Sequence, residues 1–219
     1  MAPGWPSSLF IGPRSDGIDE IMRKSGGMFL NRLDAARELA ERLSHLKGEH
    51  PLVLAIPRGA VPMGKAIAES LEGELDVVLV HKLGAPVNPE YAIGAVSEDG
   101  TVQLSADAGG GYGSDYVEQE VQSELSVLRE RRRLYTPIQT PIDPTDRVVI
   151  VVDDGSAIGR TMTAALKALK PRKPRRLIAA LGVAPADVVK ELRALPDEVL
   201  CLSTPSRFYA VGEFFADFR

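Results

Sequence analysis

The chain has 219 residues, 44% of them hydrophobic, which is enough for one domain with a substantial buried core. Its formal charge at pH 7 is −4, so no basic excess favours binding to nucleic acid or to an anionic membrane surface. A single cysteine, Cys201, excludes an intrachain disulfide and a cysteine-rich metal site. The first residues lack a signal-peptide pattern and no apolar run approaches a membrane span, so we expect a cytoplasmic protein.

The N-terminal part of the chain divides into an irregular stretch and a periodic one. Residues 1–27 are rich in proline and glycine and show no periodicity, which predicts a poorly specified extension. Residues 28–219 are expected to form a single domain. At its start, Asn31 is a candidate N-cap for an amphipathic helix whose apolar residues recur at helical spacing as far as Leu43.

A strand, a helix and a second strand follow within a short span. The apolar run 52–56 predicts a strand that Pro57 ends, Val61–Leu71 predicts a helix behind it, and 76–82 predicts the second strand. This order is typical of a βαβ unit, which implies two parallel strands in one sheet.

A Gly- and Pro-rich segment, 83–105, separates this unit from the second half of the chain. Its strand-like pieces, 91–96 and 101–104, flank Asp99-Gly100, which predicts a mobile loop leading into a hairpin. The remaining pattern predicts a long helix around 117–128, strand 147–152, helix 160–170, strand 175–183, helix 186–195 and strand 198–203. We therefore expect an α/β fold with a doubly wound, mainly parallel sheet.

Polar segments follow three of the predicted strands, at the edge where ligands bind in such sheets. They are Pro57-Arg58-Gly59, His81-Lys82 and residues 153–161, the last within the sequence VVIVVDDGSAIGRTM (148–162). The third segment has the composition of an anion-binding turn.

Glycines, a hydroxyl and a helix start make up this turn. Gly155 and Gly159 let backbone N–H groups approach an anion, the following helix contributes its positive end, and Thr161 adds a hydroxyl. The glycine spacing differs from that of the common nucleotide-triphosphate loop, and Arg160 stands where that loop has lysine.

Two adjacent carboxylates, Asp153 and Asp154, precede the turn. They would repel a phosphate unless they faced hydroxyl groups or a metal ion. A ribose diol, with Mg²⁺ held indirectly through the ligand or water, meets both requirements. We therefore expect a sugar 5-phosphate, with its diol on the aspartates and its phosphate on the turn. The alternative is a strand-end turn in which an aspartate caps the next helix.

The aliphatic run, acid pair and Gly/Thr-rich turn of 148–162 resemble the phosphoribosyl pyrophosphate signature of the type I phosphoribosyltransferases. The segments LAIPRGAVPMGKAIAESLEGELDVVLVHKLGAPVNPEYAIGAV and FYAVGEFFADF extend the resemblance to a bacterial branch of this family, from about Met28 onward. The resemblance implies an enzyme that moves the phosphoribosyl group of phosphoribosyl pyrophosphate to a nitrogenous acceptor, releases pyrophosphate and uses Mg²⁺ as cofactor.

The resemblance also implies roles for the candidate residues. The implied catalytic residues are Asp153, Asp154, Arg58 and Lys82. The implied 5-phosphate site is Gly155, Ser156, Ala157, Ile158, Gly159, Arg160 and Thr161. The implied pyrophosphate site is Pro57, Arg58, Gly59 and Lys82.

Three further features are carried over from the family. A cis peptide bond is implied at Pro57-Arg58, where it would aim backbone N–H groups at the pyrophosphate. Residues 83–96 match the flexible lid. The C-terminal segment with Phe208, Tyr209 and Val211 matches a small hood over the acceptor.

The sequence departs from the family pattern within the phosphate turn. Ile158 stands where the family has threonine, which removes a hydroxyl donor, whereas Arg160 replaces a small residue and can return a charge-assisted contact. Ala157 and the stretch 182–185 lack the acid and the lysine with which hypoxanthine-guanine enzymes of this superfamily meet a purine. We therefore expect an acceptor other than a 6-oxopurine.

Some alternatives stay open from the sequence alone. A non-catalytic sensor or regulatory module for phosphoribosyl compounds is the second function class, and Ile158 favours it. The basic runs 129–133 and 167–176 are interpreted as solvated helix ends rather than nucleic-acid contacts. The C-terminal aromatics are as typical of a core or a dimer contact as of an acceptor platform, and a homodimer stays open.

Overall fold

The computed structural model describes residues 28–88, 91–104, 112–135 and 141–218. The extension 1–27 lies outside this part of the chain, so its poor specification stays a prediction. The helices and strands, numbered in chain order, are α1 Arg32–Arg42, β1 Leu52–Ala55, α2 Val61–Leu71, β2 Glu74–Val77, β3 Val80–Gly84, β4 Ala92–Ser97, β5 Val102–Leu104, α3 Ser114–Tyr135, β6 Val148–Gly155, α4 Arg160–Leu169, β7 Arg176–Val183, α5 Ala186–Leu192 and β8 Glu198–Ser203.

Five parallel strands form the central sheet, in the order β2-β1-β6-β7-β8. Its middle strands β6 and β7 are buried along nearly their whole length, as expected for parallel strands covered on both faces. Alternate strand residues pack against α1 and α2 on one face and against α4 and α5 on the other. The predicted doubly wound α/β sheet is confirmed.

The strand order reverses between β1 and β6. From β1 the chain continues to β2 on one side, and from β6 it continues through β7 to β8 on the other. Because β1 and β6 are paired neighbours, with Ala55 opposite Val152, the segments that follow them leave the sheet side by side. Such a topological switch point is where ligands bind in open α/β sheets.

The predicted strand 76–82 is wrong, because the structure has two strands there. β2 pairs with β1, and the backbone N–H of Val78 still donates to Ala55 over 3.1 Å. The chain then leaves the central sheet and continues as β3, which pairs antiparallel with β4. Consecutive residues pack in opposite directions at this point, Leu79 towards α3 and Val80 towards α4.

A small antiparallel sheet, β3-β4-β5, packs between α3 and α4. The predicted hairpin is confirmed: β4 and β5 pair around Gly100, whose φ of +85° favours glycine, and Asp99 accepts from the Thr101 N–H over 3.0 Å. Part of the segment matched to a lid, residues 89–90, lies outside the described residues. Lid movement stays a prediction.

Arg132 corrects the interpretation of 129–133 as a solvated helix end. Its side chain is only 12% exposed, donates over 2.5 Å to the buried carboxylate of Asp76, and also pairs with Glu98. Burial lowers the pKa of Arg132, but its hydrogen bonds to Glu98 and Asp76 outweigh this and raise it. The arginine belongs to a network that joins α3 to both sheets, a role that helical charge patterning did not indicate.

Candidate functional site

The acid pair lies at the carboxyl end of β6. The strand continues to Gly155, beyond the predicted end at 152, because Asp153 and Gly155 remain in register with Leu181 and Val183 of β7. Both aspartates are buried. Burial and the neighbouring Asp154 carboxylate raise the pKa of Asp153 well above its usual range. The Asp153 carboxyl group therefore retains its proton more readily than an exposed aspartate does.

Two hydrogen bonds of Ser156 stabilise the turn after β6. The N–H of Ser156 donates to Val183 over 3.0 Å, and the Ser156 hydroxyl oxygen accepts from the Gly159 N–H over 3.0 Å. Gly159 has a φ of +69° and precedes the first residue of α4. This geometry presents the start of a helix towards the surface, an arrangement suited to binding an anion.

The other residues of the turn point outward. Ala157, Arg160 and Thr161 are exposed, and the Ile158 side chain is 62% exposed. The structure thus presents an apolar side chain at the position where the resemblance implied a hydroxyl donor. Arg160 and Thr161 line a cavity of about 820 Å³ beside the turn.

The segment after β1 packs directly on the second aspartate. Its peptide bond Pro57-Arg58 is cis, as the resemblance implied. A β-carbon on Gly59 would lie 2.1 Å from Asp154 Oδ2, so this position excludes any side chain while the aspartate keeps its place. Arg58 is exposed beside it. The structure therefore brings the candidate pyrophosphate loop and the acid pair together.

Lys82 lies on β3, in the small antiparallel sheet, and not at the end of a parallel strand. It lines the same cavity as Pro57, Ile158 and Arg160, so the structure also brings this lysine near the turn. The neighbouring His81 instead pairs through Nδ1 with Glu124 of α3. His81 and Glu124 also line this cavity, so their ion pair lies beside the same space as Lys82.

The C-terminal segment covers the sheet edge with aromatic and aliphatic side chains. Phe208 stacks on Phe214 at 5.2 Å between ring centroids, and the Val211 side chain lies against Gly155. Phe215 is buried against Phe29, whereas Tyr209 is 80% exposed. Most of these residues are therefore core contacts, and Val211 is the hood residue that contacts the acid-pair segment.

Arg32 was missed by sequence reasoning. It is the first residue of α1, and its Nε donates to Asp154 Oδ2 over 2.7 Å. The two residues are 122 positions apart, so no local pattern links them. A buried carboxylate does need a partner, but the sequence offers many arginines and does not say which of them supplies it.

The buried acid pair leads into an open turn at the start of a helix, and both lie at the switch point of a doubly wound sheet. This arrangement is the architecture of the type I phosphoribosyltransferases. The family model described as phosphoribosyl transferase domain matches residues 27–218. The chain belongs to this family, so the resemblance found in the sequence is confirmed.

Individual relatives agree with this membership. Two Mycobacterium tuberculosis proteins, from strains CDC 1551 / Oshkosh and ATCC 25618 / H37Rv and provisionally named phosphoribosyl transferases, are 37% identical over 193 residues, or 87% of this chain. The chain spans 44% of the length of these curated relatives. The crystal structure of TT1426 from Thermus thermophilus is 42% identical with a TM-score of 0.81, covering 88% of this chain and 92% of that structure. Within the described residues, none of the helices combines the length and hydropathy that crossing a membrane requires.

Proposed function

We propose that this chain transfers the phosphoribosyl group of phosphoribosyl pyrophosphate to a nitrogenous acceptor and releases pyrophosphate. The observation that carries the proposal is the contact between the loop at Gly59 and the carboxylate of Asp154, beside the anion turn that ends at Gly159. A ligand with a phosphate, a diol and a pyrophosphate needs these three features next to one another. Residues of a single strand end could not supply all of them.

Each part of the candidate site is assigned one role in the reaction. The C1–O bond to pyrophosphate breaks with its electron pair on the leaving group, a C1–N bond forms, and the acceptor nitrogen loses a proton. Asp153 and Asp154 orient the ribose diol, and the turn holds the 5-phosphate. Arg58 and Lys82 neutralise the negative charge that develops on pyrophosphate. Closure of the segment 83–96 would exclude water from the electron-poor sugar.

Mg²⁺ is the proposed cofactor, and the donor set fits it only indirectly. Among the described residues, no group of three or more His, Cys, Asp or Glu side chains could hold a metal ion. Mg²⁺ is commonly held by one or two carboxylates together with substrate phosphates and water. Asp153 and Asp154 would hold it through the ligand or water, where it supplies further neutralisation of the pyrophosphate.

The proposed acceptor is a nitrogenous base other than a 6-oxopurine. Ala157 offers no polar group, and the Val183 and Ala184 side chains are fully buried, so neither can meet the edge of a purine. An unpaired polar group on a bound purine costs about 1–3 kcal/mol. Pyrophosphate release with hypoxanthine, guanine, adenine, uracil and orotate tests this point. Faster turnover of hypoxanthine or guanine than of every other base would contradict it.

Calorimetry tests ligand binding itself. Phosphoribosyl pyrophosphate with Mg²⁺ should bind the wild type, and Asp154→Asn should weaken that binding. Asp187→Asn, at an exposed position in the first turn of α5, is the matched control and should bind like the wild type. Absence of binding to the wild type at millimolar ligand, or equal affinity of Asp154→Asn, would rule out the assignment.

A regulatory module that binds phosphoribosyl compounds without turnover is the second candidate. The exposed, apolar Ile158 in the turn favours it. Binding of phosphoribosyl pyrophosphate without pyrophosphate release, across the whole panel of bases, would support this candidate over the transferase.

A further inference from the structure

Arg32 joins two parts of the candidate site through one guanidinium group. Its Nε donates to Asp154 Oδ2 over 2.7 Å, and its Nη1 donates to the carbonyl oxygen of Phe218 over 2.6 Å. The central carbon of the guanidinium lies 3.8 Å from the centroid of the Phe218 ring. The Arg32 and Asp154 side chains are 16% and 13% exposed. The two hydrogen bonds hold the guanidinium in its plane, and the Phe218 ring packs on its face.

The main chain beside Arg32 is fixed to the C-terminal segment. The Phe29 N–H donates to Phe214 over 2.8 Å, and the Ala216 N–H donates to Phe29 over 2.8 Å. Asn31 then caps α1 by accepting from the Asp34 N–H. The start of the helix therefore keeps its place relative to the C-terminal segment, and so does the arginine.

The same ion pair supports the loop after β1. A β-carbon on Gly59 would lie 3.2 Å from Arg32 Nε and closer still to the Asp154 carboxylate. The loop, the acid pair and the C-terminal segment thus meet at one arginine. A change in the position of any of them changes the surroundings of the other two.

We infer that Arg32 is a positioning residue, which fixes the carboxylate of Asp154 for the ribose diol and couples it to the C-terminal segment. The inference rests on the proposed function, because it assigns Asp154 to the sugar. Only an arginine provides two donations in different directions together with a flat face for the ring. A lysine keeps the charge and loses the coupling.

Affinity for ribose 5-phosphate with Mg²⁺, measured by calorimetry, is the first test. Arg32→Gln should bind at least tenfold more weakly than the wild type, and Arg32→Lys should lie between them. Arg42→Gln removes the ion pair with Glu38 at the other end of the same helix, so it is the matched control and should stay within twofold of the wild type. Equal binding by Arg32→Gln and wild type would overturn the inference alone.

A double-mutant comparison separates positioning from a general structural effect. If Arg32 acts through Asp154, then adding Arg32→Gln to Asp154→Asn should change the affinity less than twofold. The same loss in both backgrounds would overturn the inference. Phe218→Leu removes the ring and keeps the carbonyl, and should weaken binding about threefold if the C-terminal coupling is real; unchanged affinity would overturn the coupling.

Folding and the proposed function are controlled separately. Thermal melting of each variant shows whether it is folded, and if Arg32→Gln is not, Arg32→Lys and Phe218→Leu carry the test. Failure of the wild type to bind either ribose 5-phosphate or phosphoribosyl pyrophosphate would overturn the proposed function and this inference together. If the wild type binds these ligands and the Arg32 variants bind them with the same affinity, only the inference about Arg32 would be overturned.

Discussion

The two sheets of this molecule are held in different ways. The parallel sheet is covered on both faces by helices and stabilised by continuous apolar burial. The antiparallel sheet β3-β4-β5 also packs on helices, but arginines fix its hairpin end: Arg132 pairs with Glu98, and Arg172 donates to Asp99 over 2.8 Å. These directed charge pairs add geometric specificity to the apolar packing of the small sheet.

This difference divides the candidate site. The acid pair and the phosphate turn belong to the parallel sheet, whereas Lys82 belongs to the antiparallel sheet. We therefore expect the two regions to contribute separately to binding. Ribose 5-phosphate, which has no pyrophosphate, reports on the first region alone, and phosphoribosyl pyrophosphate reports on both.

The largest effect should come from Arg132→Ala. It leaves the buried carboxylate of Asp76 without its cation, which costs about 3–5 kcal/mol of folding stability. Denaturant unfolding measures this loss. Arg133→Ala, at a 79% exposed position in the same helix, is the control and should change stability by less than about 0.5 kcal/mol. Folded Arg132→Ala protein should bind ribose 5-phosphate within threefold of the wild type; a larger loss would show that the two regions are not separate.

The sequence predicted the parallel sheet well because its strands are continuous apolar runs and its helices repeat at regular spacing. It also placed Asp153, Asp154 and the turn together, because these residues are adjacent in the chain. The break between β2 and β3 was not predictable from the apolar run 76–82, which is suited to either sheet. Partners such as Arg32 and Arg132 depend on contacts between distant segments, and local pattern carries no information about them.

Gly59→Ala should give the next largest effect, within the parallel region. Its β-carbon would lie 2.1 Å from Asp154 Oδ2, and that carboxylate is buried and paired, so it cannot move aside without cost. We expect at least a ~100-fold loss of affinity for ribose 5-phosphate, or about 2.7 kcal/mol. Gly113→Ala is the control, because a β-carbon there meets no atom within 4 Å. Calorimetry that finds equal affinity in the two variants would contradict the role of this contact.

Ile158→Thr should strengthen binding by up to about 1.5–3 kcal/mol, because it adds a hydroxyl donor to a charged phosphate. The side chain is exposed, so the change costs no core packing. Arg160→Ala should weaken binding if the arginine supplies the missing contact. Titration with ribose 5-phosphate measures both variants. Unchanged dissociation constants in both would mean that the departures of the turn from the family pattern are neutral.

The smallest expected effect concerns stability in the region that binds the sugar. Burial and Asp154 raise the folded-state pKa of Asp153 above its unfolded value of 3.8, so between these two pKa values the folded chain retains a proton that the unfolded chain has released. Stability therefore falls as pH rises through that window, and the whole loss is present above it. Asp153→Asn cannot ionise and should be more stable than the wild type at pH 7, which thermal melting measures. The difference in stability between Asp153→Asn and the wild type should disappear as pH falls towards 3.8.

Asp187→Asn, which is exposed, is the control and should show no such trend. A gain in stability in Asp153→Asn together with weaker sugar binding would mean that the parallel sheet gives up stability at its site.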